Sequence, residues 1–313
     1  MNSVLVTGGT GFIGSALVDA LRLRDDCQRI VVVDSLITRH QGNLAGAAGI
    51  EFHECDIRDY PALLPLLAGI DVVFHQAAIP SVPRSISEPE LCFGVNVDGT
   101  FNVIRASVEQ KVRRIVFASS SAVYGDSPAL PKLEDMRPEP MSLYGAHKLA
   151  GEHFLRAAQQ SYGIETVSLR YFNVFGPRQD PSSAYSGVLS IFANRVLSGE
   201  APVINGDGEQ TRDFIFVDDV ARLNLLAGSV PAASGGVFNG GCGQGITLNR
   251  AWRAMQAAAK VELEPHRGPE RLGDVRHSRA DISVSKDVLG FAPQVEFEDG
   301  VQRTLAWFAA QRK

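Results

Sequence analysis

A short apolar run, SVLVT at 3–7, passes directly into the string TGGTGFIG at 7–14 and then into a stretch of helical periodicity. Gly8, Gly11 and Gly14 therefore recur at the junction of a strand and a helix. In such a junction the first glycine permits the tight turn, the second lets backbone approach a pyrophosphate, and the third lets helix and strand pack closely. Phe12 and Ile13 would open the helix whose N-terminal amides face the phosphates. The spacing departs by one residue from G-x-G-x-x-G, and glycines crowd ordinary turns, so the triplet needs independent support. Asp34 supplies it. That carboxylate ends the next apolar run, RIVVVD, 20 residues beyond Gly14, where it can accept hydrogen bonds from the ribose hydroxyls of an adenosine. It also repels a 2′-phosphate, which favours NAD over NADP, while the nearby Arg39 softens that preference.

The first half of the chain goes on alternating β-branched runs with helical periods, the pattern of a parallel sheet covered on both faces. Strands are predicted at 3–7, 29–34, 50–56, 71–77, 113–119 and 166–172, with helices at 12–24, 60–68, 90–111 and 145–162. RIVVV is almost wholly apolar and suits a strand buried on both sides. Past Asn173 the rhythm changes. GPRQDPSSAYSG and INGDGEQTRDF are loops rich in Gly, Pro, Ser and Asp, and shorter helices are predicted at 187–198, 218–228, 248–259 and 298–311. The expected fold class is α/β: a Rossmann-type doubly wound parallel sheet with a smaller, discontinuous C-terminal substrate lobe. Residues 1–173 would bind the dinucleotide and carry the catalytic groups. Residues 174–313 would form most of the substrate lobe, with segments of the two interleaved.

Composition narrows the partners. With 313 residues and 45% hydrophobic side chains, the chain can bury a large core. Its formal charge of −5 argues against nucleic acid or an anionic membrane as the main partner, so an anion site must be a local basic pocket. Cys27, Cys55, Cys92 and Cys242 are scattered, without a CxxC pair or clustered histidines, and read as reduced thiols with no metal site. The N-terminus lacks a secretory signal pattern, and no apolar run approaches the roughly 20 residues of a membrane span. A cytoplasmic location is expected.

Tyr144 and Lys148 stand four residues apart in SLYGAHKL, at the start of a predicted helix and so on one face of it. The ordinary tyrosine pKa of about 10 is too high for a base at neutral pH. An ammonium beside it, with a positive nicotinamide ring opposite, stabilises the phenolate and makes it usable. Such pairs also occur on ordinary helix surfaces. What favours the catalytic reading is RRIVFASSSAVYG at 113–125, a buried strand running into Ser119, Ser120 and Ser121 at the sheet edge where ligands bind. Any of the three can hold the reacting oxygen beside Tyr144; the plainer alternative is a polar turn. No G-x-S-x-G surrounds them, which argues against a serine hydrolase.

TGGTGFIG, Asp34, CDIRD, HQAA, SSSAVYG and Y-x-x-x-K, in this order, resemble the extended short-chain dehydrogenase/reductase superfamily over nearly the whole chain. The resemblance implies that Asp56 and Ile57 flank the adenine, that Ala77 and Ala78 line the nicotinamide half, and that Asn96 lies near the cofactor. It places the catalytic serine on Ser120 with Ser121 as its neighbour, the two exchanging roles if the register shifts by one. It also implies a homodimer built on helices near 90–111 and 145–162.

In RYFNVFGPRQDP, VINGDGEQTRDFIFVDD and RLGDVRHSRADIS, the Asn173 amide, Arg212 and Arg271 can bind a nucleotide-sugar pyrophosphate, and Asp274 can take ribose hydroxyls. These segments are similar to those of UDP-hexose 4-epimerases. GDVRHS with HQAAIPSVPRSIS is most similar to the branch acting on UDP-GlcNAc and UDP-GalNAc. That resemblance implies a sugar pocket of Pro80, Ser81, Ser120, Tyr144, Asn173, Gly187 with Val188, and Ser278. A small residue at Ser278 leaves room for an acetamido group, where a tyrosine would narrow the pocket. Pro80 departs from the glycine expected there. The implied chemistry is isomerisation: Tyr144 takes the O4 proton as C4 gives up its hydride to NAD⁺, the ketose turns over, and both return on the other face. A dehydratase would carry an Asp–Glu pair after Ser120, where Ser121 and Ala122 stand. A UDP-glucuronate 4-epimerase or decarboxylase would need a cation such as Arg84 or Arg178 for the carboxylate. The reading from another class is a non-catalytic NAD-binding regulatory protein.

Overall fold

The computed structural model describes residues 1–37, 41–44, 48–180, 187–270 and 275–312. β1 (Ser3–Thr7) and β2 (Arg29–Asp34) fall where the sequence places them, because their apolar runs are unbroken and end sharply. β3 (Ile50–Glu54), β4 (Val72–His75), β5 (Arg114–Ser120) and β6 (Glu165–Tyr171) follow. The predicted runs 50–56 and 71–77 overshoot, since Cys55, Asp56, Gln76 and Ala77 leave the ladder to build the sheet's C-terminal edge.

Neighbouring strands are parallel throughout, in the order Val237–Gly240, β6, β5, β4, β1, β2, β3. The order reverses between β4 and β1, and such a reversal opens a crevice beyond the carboxyl ends of the strands. This is the doubly wound sheet that the sequence predicts. The seventh strand, Val237–Gly240, is not predicted: it is four residues long within SGGVFNGGC, and its flanking glycines read as turns.

Side chains alternate across the sheet with period two, and both faces are apolar because helices cover both. Val4 and Val6 enter one core with Leu17 and Leu21 of helix Phe12–Arg22 and Val220 and Leu223 of helix Val217–Ser229. Leu5, Val31 and Val33 enter the other with Val103 of helix Thr100–Glu109 and Leu155 of helix Leu143–Tyr162. A third core, with Phe175, Phe192, Phe216 and Trp252 among its members, holds together helices Val188–Leu197, Leu248–Ala259 and Phe297–Gln311.

The helix predicted over 90–111 is broken into Pro89–Phe93, a π-helical turn at Gly94–Gly99, and Thr100–Glu109. Turns of this kind are frequent at functional sites, and this one carries Asn96. The predicted helix 60–68 tightens after Leu63, where Pro65 removes a donor. Helices Val82–Ser87 and Ser283–Leu289 are too short to show a period. No helix among the described residues is long and apolar enough to cross a membrane.

Candidate active site at the sheet crevice

The glycines at the end of β1 are required by space. Gly8 has φ +68, and a Cβ on it would stand 2.7 Å from the Ala77 backbone; one on Gly14 would stand 2.1 Å from the Gly8 carbonyl oxygen. Gly11 donates to that carbonyl at 3.1 Å and starts helix Phe12–Arg22, whose first turn has neither a side-chain cap nor an acidic residue. Its amides therefore remain for an anion. The Phe12 and Ile13 side chains pack on the third core, so these two residues offer backbone to the crevice. The Asp34 carboxylate accepts from Thr10 N–H at 3.0 Å and Leu36 N–H at 2.9 Å. A carboxylate accepts about four hydrogen bonds, so ribose hydroxyls can still bind it. These features fit a dinucleotide.

The other predicted cofactor residues make contacts within the protein. Ala77 N–H donates to Thr7 Oγ1 at 3.2 Å, which fixes the turn leading to Ala78. Both amide atoms of buried Asn96 are used on Ile79: Oδ1 accepts from its N–H at 2.8 Å and Nδ2 donates to its carbonyl at 3.1 Å. Asn96 is thus a clip holding the loop after β4. Ile57 is buried beneath Gly99, and the Asp56 carboxylate is gripped by Arg58 at 2.6 Å.

Helix Leu143–Tyr162 carries the Tyr144–Lys148 pair. Ser142 caps it, accepting from Gly145 N–H at 3.1 Å, and Ser85 accepts from Tyr144 N–H at 3.2 Å. A Cβ on Gly145 would lie 2.7 Å from the Ala122 carbonyl, so glycine there lets the helix press onto the end of β5. Lys148, 4% exposed, donates from Nζ to the Ala118 carbonyl at 2.7 Å and stands 6.0 Å from the centre of the Tyr144 ring. Burial lowers the Lys148 ammonium to about 7. Burial also pushes the Tyr144 phenol up to about 12, with a hydrogen bond to Ser120 acting in the opposite direction.

Strand alternation sorts the three serines. Ser119 turns inward and donates to Glu152, whose carboxylate also pairs with Arg170 at 2.8 Å. Ser120 points the other way, accepts from Ala122 N–H at 3.1 Å and meets Tyr144. Ser121 begins the turn Ser121–Tyr124. Across the crevice Ser81 caps helix Val82–Ser87, accepting from Arg84 N–H at 3.1 Å. Pro80 beside it is exposed.

On the lobe side, Asn173 donates to the Asp213 carbonyl from its backbone at 2.9 Å and its side chain at 3.3 Å. Gly187 precedes helix Val188–Leu197, and a Cβ on it would stand 2.9 Å from Gln179 Nε2. Ser278 N–H donates to the Thr211 carbonyl at 3.1 Å, which sets Ser278 beside the strand of Arg212. Arg271, Asp274 and Arg39 lie outside the described residues. The two arginines considered for a sugar carboxylate have acidic partners: Arg84 pairs with Glu88 at 2.8 Å and Arg178 with Asp19 at 2.7 Å.

Two residues that sequence reasoning passes over hold this arrangement. Buried Asp213 accepts from Cys242 N–H at 2.7 Å, Gly243 N–H at 2.9 Å and Ala280 N–H at 3.0 Å, joining three segments behind Arg212 and Ser278. Burial pushes its carboxyl up to about 6. Glu152 is the second, and its signal was available: an acid one turn beyond Lys148, on the helix face that packs inward, requires a partner.

The family model described as the NAD dependent epimerase/dehydratase family matches residues 4–241. The UDP-glucose 4-epimerase of Mycolicibacterium smegmatis is 41% identical over 310 residues, covering 97% of each chain. A solved UDP-N-acetylglucosamine 4-epimerase from Methanobrevibacter ruminantium, in complex with UDP-N-acetylmuramic acid, has a TM-score of 0.94 at 39% identity over 99% of both chains. The Thermus thermophilus UDP-glucose 4-epimerase, in complex with NAD, has a TM-score of 0.88 at 37% identity, over 98% of this chain and 99% of that one. The match spans the glycine turn, Asp34 and the Tyr144–Lys148 helix, and the chain belongs to the NAD-dependent epimerase/dehydratase family, with NAD as its cofactor.

Proposed function

We propose that the protein interconverts UDP-hexoses at C4, with UDP-GlcNAc and UDP-GalNAc as its preferred pair and UDP-Glc and UDP-Gal as further substrates. The observation that carries this reading is the meeting of Ser120, Tyr144 and Lys148 at the end of β5, beside the glycine turn and Asp34. Relatives named as 4-epimerases support the position of the reaction. Residues 1–173 hold the cofactor and the catalytic groups, and residues 174–313 supply most of the sugar-nucleotide side. The four cysteines are free thiols, which supports a reducing, cytoplasmic setting.

The backbone amides of Phe12 and Ile13 would hold the cofactor's pyrophosphate and Asp34 its ribose. NAD, when bound, supplies a hydride acceptor and a positive ring near the phenol. Ser120 holds the sugar O4 beside Tyr144. Lys148 stabilises the phenolate, which takes the O4 proton while C4 gives up its hydride to the acceptor that bound NAD would supply, so that C4 becomes a carbonyl. The ketose then turns about its anchored diphosphate and receives hydride and proton on the opposite face, leaving no net oxidation. Asn173 and Arg212 serve the diphosphate, and the small Ser278 leaves space at C2.

Incubation of purified protein with UDP-GlcNAc, UDP-Glc and UDP-GlcA separately, with products resolved by NMR, tests the reading. Epimers of the first two are expected. An epimer or a pentose formed from UDP-GlcA alone would overturn it. Ser278→Tyr is expected to refill the pocket and lower kcat/KM for UDP-GlcNAc about tenfold or more, sparing UDP-Glc, because a packed site does not absorb extra volume without strain. Equal losses for both would assign Ser278 to folding or UDP binding.

Asp34→Ala is expected to weaken NAD about tenfold or more while NADP loses little, because hydrogen bonds to a charged acceptor are the strong ones. Isothermal titration with both cofactors reads this. Equal losses would remove the carboxylate from the ribose. We also infer a homodimer through Phe93, Phe101 and Phe154: these aromatics are exposed, and Phe101 and Phe154 meet edge to face between helices Thr100–Glu109 and Leu143–Tyr162.

A further inference from the structure

Lys148 forms no ion pair among the described residues, although its ammonium is almost fully buried. Its hydrogen bond goes to the Ala118 carbonyl, and its Nζ lies over the face of Phe117, 4.9 Å from the ring centre. Phe117 sits in β5 and is 1% exposed. The ring is confined from above by the helix, since a Cβ on Gly151 would fall 2.5 Å from it, and flanked by the His75 ring at 5.6 Å. It has no room to turn away from the ammonium.

The surrounding titratable groups offer Lys148 no negative charge. His75 of β4 is neutral by the logic of its hydrogen bonds. Thr100 Oγ1 donates to the Asn96 carbonyl and so accepts from His75 Nε2–H, while His75 Nδ1 accepts from Thr7 Oγ1. On the helix itself, burial and Lys148 both hold His147 below its ordinary value. Glu152 is committed to Arg170 of β6 and to Ser119. Tyr144 is the remaining neighbour, protonated at rest.

We propose that the face of Phe117 is the electrostatic partner that keeps the buried Lys148 charged, making Phe117 a positioning residue for the Tyr144 base. This rests on the roles assigned above to Tyr144 and Lys148. The negative face of an aromatic ring attracts an ammonium more strongly when both are withdrawn from water. A lysine that titrates close to neutrality changes its charge with small changes around it.

The test replaces Phe117 with a ring-trifluorinated phenylalanine, which nearly keeps the shape of the side chain but drains its negative face. Phe117→Leu, which removes the ring, is the companion variant. Lysine-labelled protein gives the Lys148 titration directly by NMR, with Lys148→Met identifying the signal. The expected result is a fall of about half to one pH unit in the Lys148 titration of the fluorinated protein. The sign for activity follows: Lys148 acts charged, so activity is lost as pH rises through its pKa, and the alkaline limb of kcat moves down by a similar amount. A Lys148 titration that stays in place in the fluorinated protein overturns the proposal, even where Tyr144→Phe is inactive. Normal turnover in Tyr144→Phe overturns the base assignment instead, and the titration shift then reports the ring–ammonium contact alone.

Discussion

Tyr144→Phe keeps its fold and its NAD affinity and turns over UDP-hexose about two to four orders of magnitude more slowly, the range expected when a positioned proton acceptor is removed. The fold is spared because Tyr144 is held through its backbone, by the helix and by the bond from its N–H to Ser85, and neither involves the hydroxyl. The phenol's side-chain partner is Ser120, which stays anchored through the Ala122 amide. Lys148 keeps its bond to the Ala118 carbonyl. Circular dichroism and a cofactor titration establish that the variant is intact, and single-turnover kinetics read the chemical step. Turnover within a few-fold of the unmodified protein would show that another group removes the O4 proton.

Glu152→Ala is expected to lower the unfolding free energy by about 3–5 kcal/mol, because it strands a buried guanidinium without its counter-charge. Arg170 is 3% exposed, and its Nε and second nitrogen both bind the Glu152 carboxylate, at 3.0 and 2.8 Å. Its other contacts include the Glu134 carbonyl at 3.1 Å and the Tyr124 ring at 4.8 Å, and the Glu134 carboxylate, near enough to be felt, does not share its bidentate bond. Removing both charges together, as in Glu152→Leu with Arg170→Met, should cost less than Glu152→Ala alone. Urea unfolding of the single and double variants measures the difference. A loss below about 1 kcal/mol in Glu152→Ala would mean that water reaches Arg170 and that the pair contributes no more than a surface pair does.

The legible parts of this molecule were those whose signal is local. β1 and β2 could be bounded to the residue because an unbroken apolar run ends at a glycine turn in one case and an acid in the other. The glycine junction was legible for the same reason, since steric demand on Gly8 and Gly14 arises within a few residues and at the Ala77 backbone. What sequence could not give was the choice among groups whose partners are remote. By their own pattern three adjacent serines are equivalent, and only the resemblance singles out Ser120; strand alternation sends Ser119 to Glu152, 33 residues away, and Ser120 to Tyr144. Asn96 could be placed near the cofactor by resemblance, but its two bonds to Ile79 depend on a π-helical turn that no periodicity announces. The strand Val237–Gly240 was hidden by its glycines, which the ladder with β6 accommodates because the chain is buried there and needs little side-chain volume.

That last strand has a consequence for how the protein comes apart. It follows Asn173 in the chain, yet it extends the sheet formed by the residues before Asn173, and helix Val217–Ser229 shares a core with helix Phe12–Arg22. A chain ending near Asn173 would leave the edge of β6 and the apolar side chains Val167, Leu169 and Tyr171 uncovered, a surface inviting aggregation. The stretches of chain before and after Asn173 are therefore not separable bodies. Heat or denaturant is expected to melt them together, with a ligand bound to either one raising a single shared Tm in calorimetry.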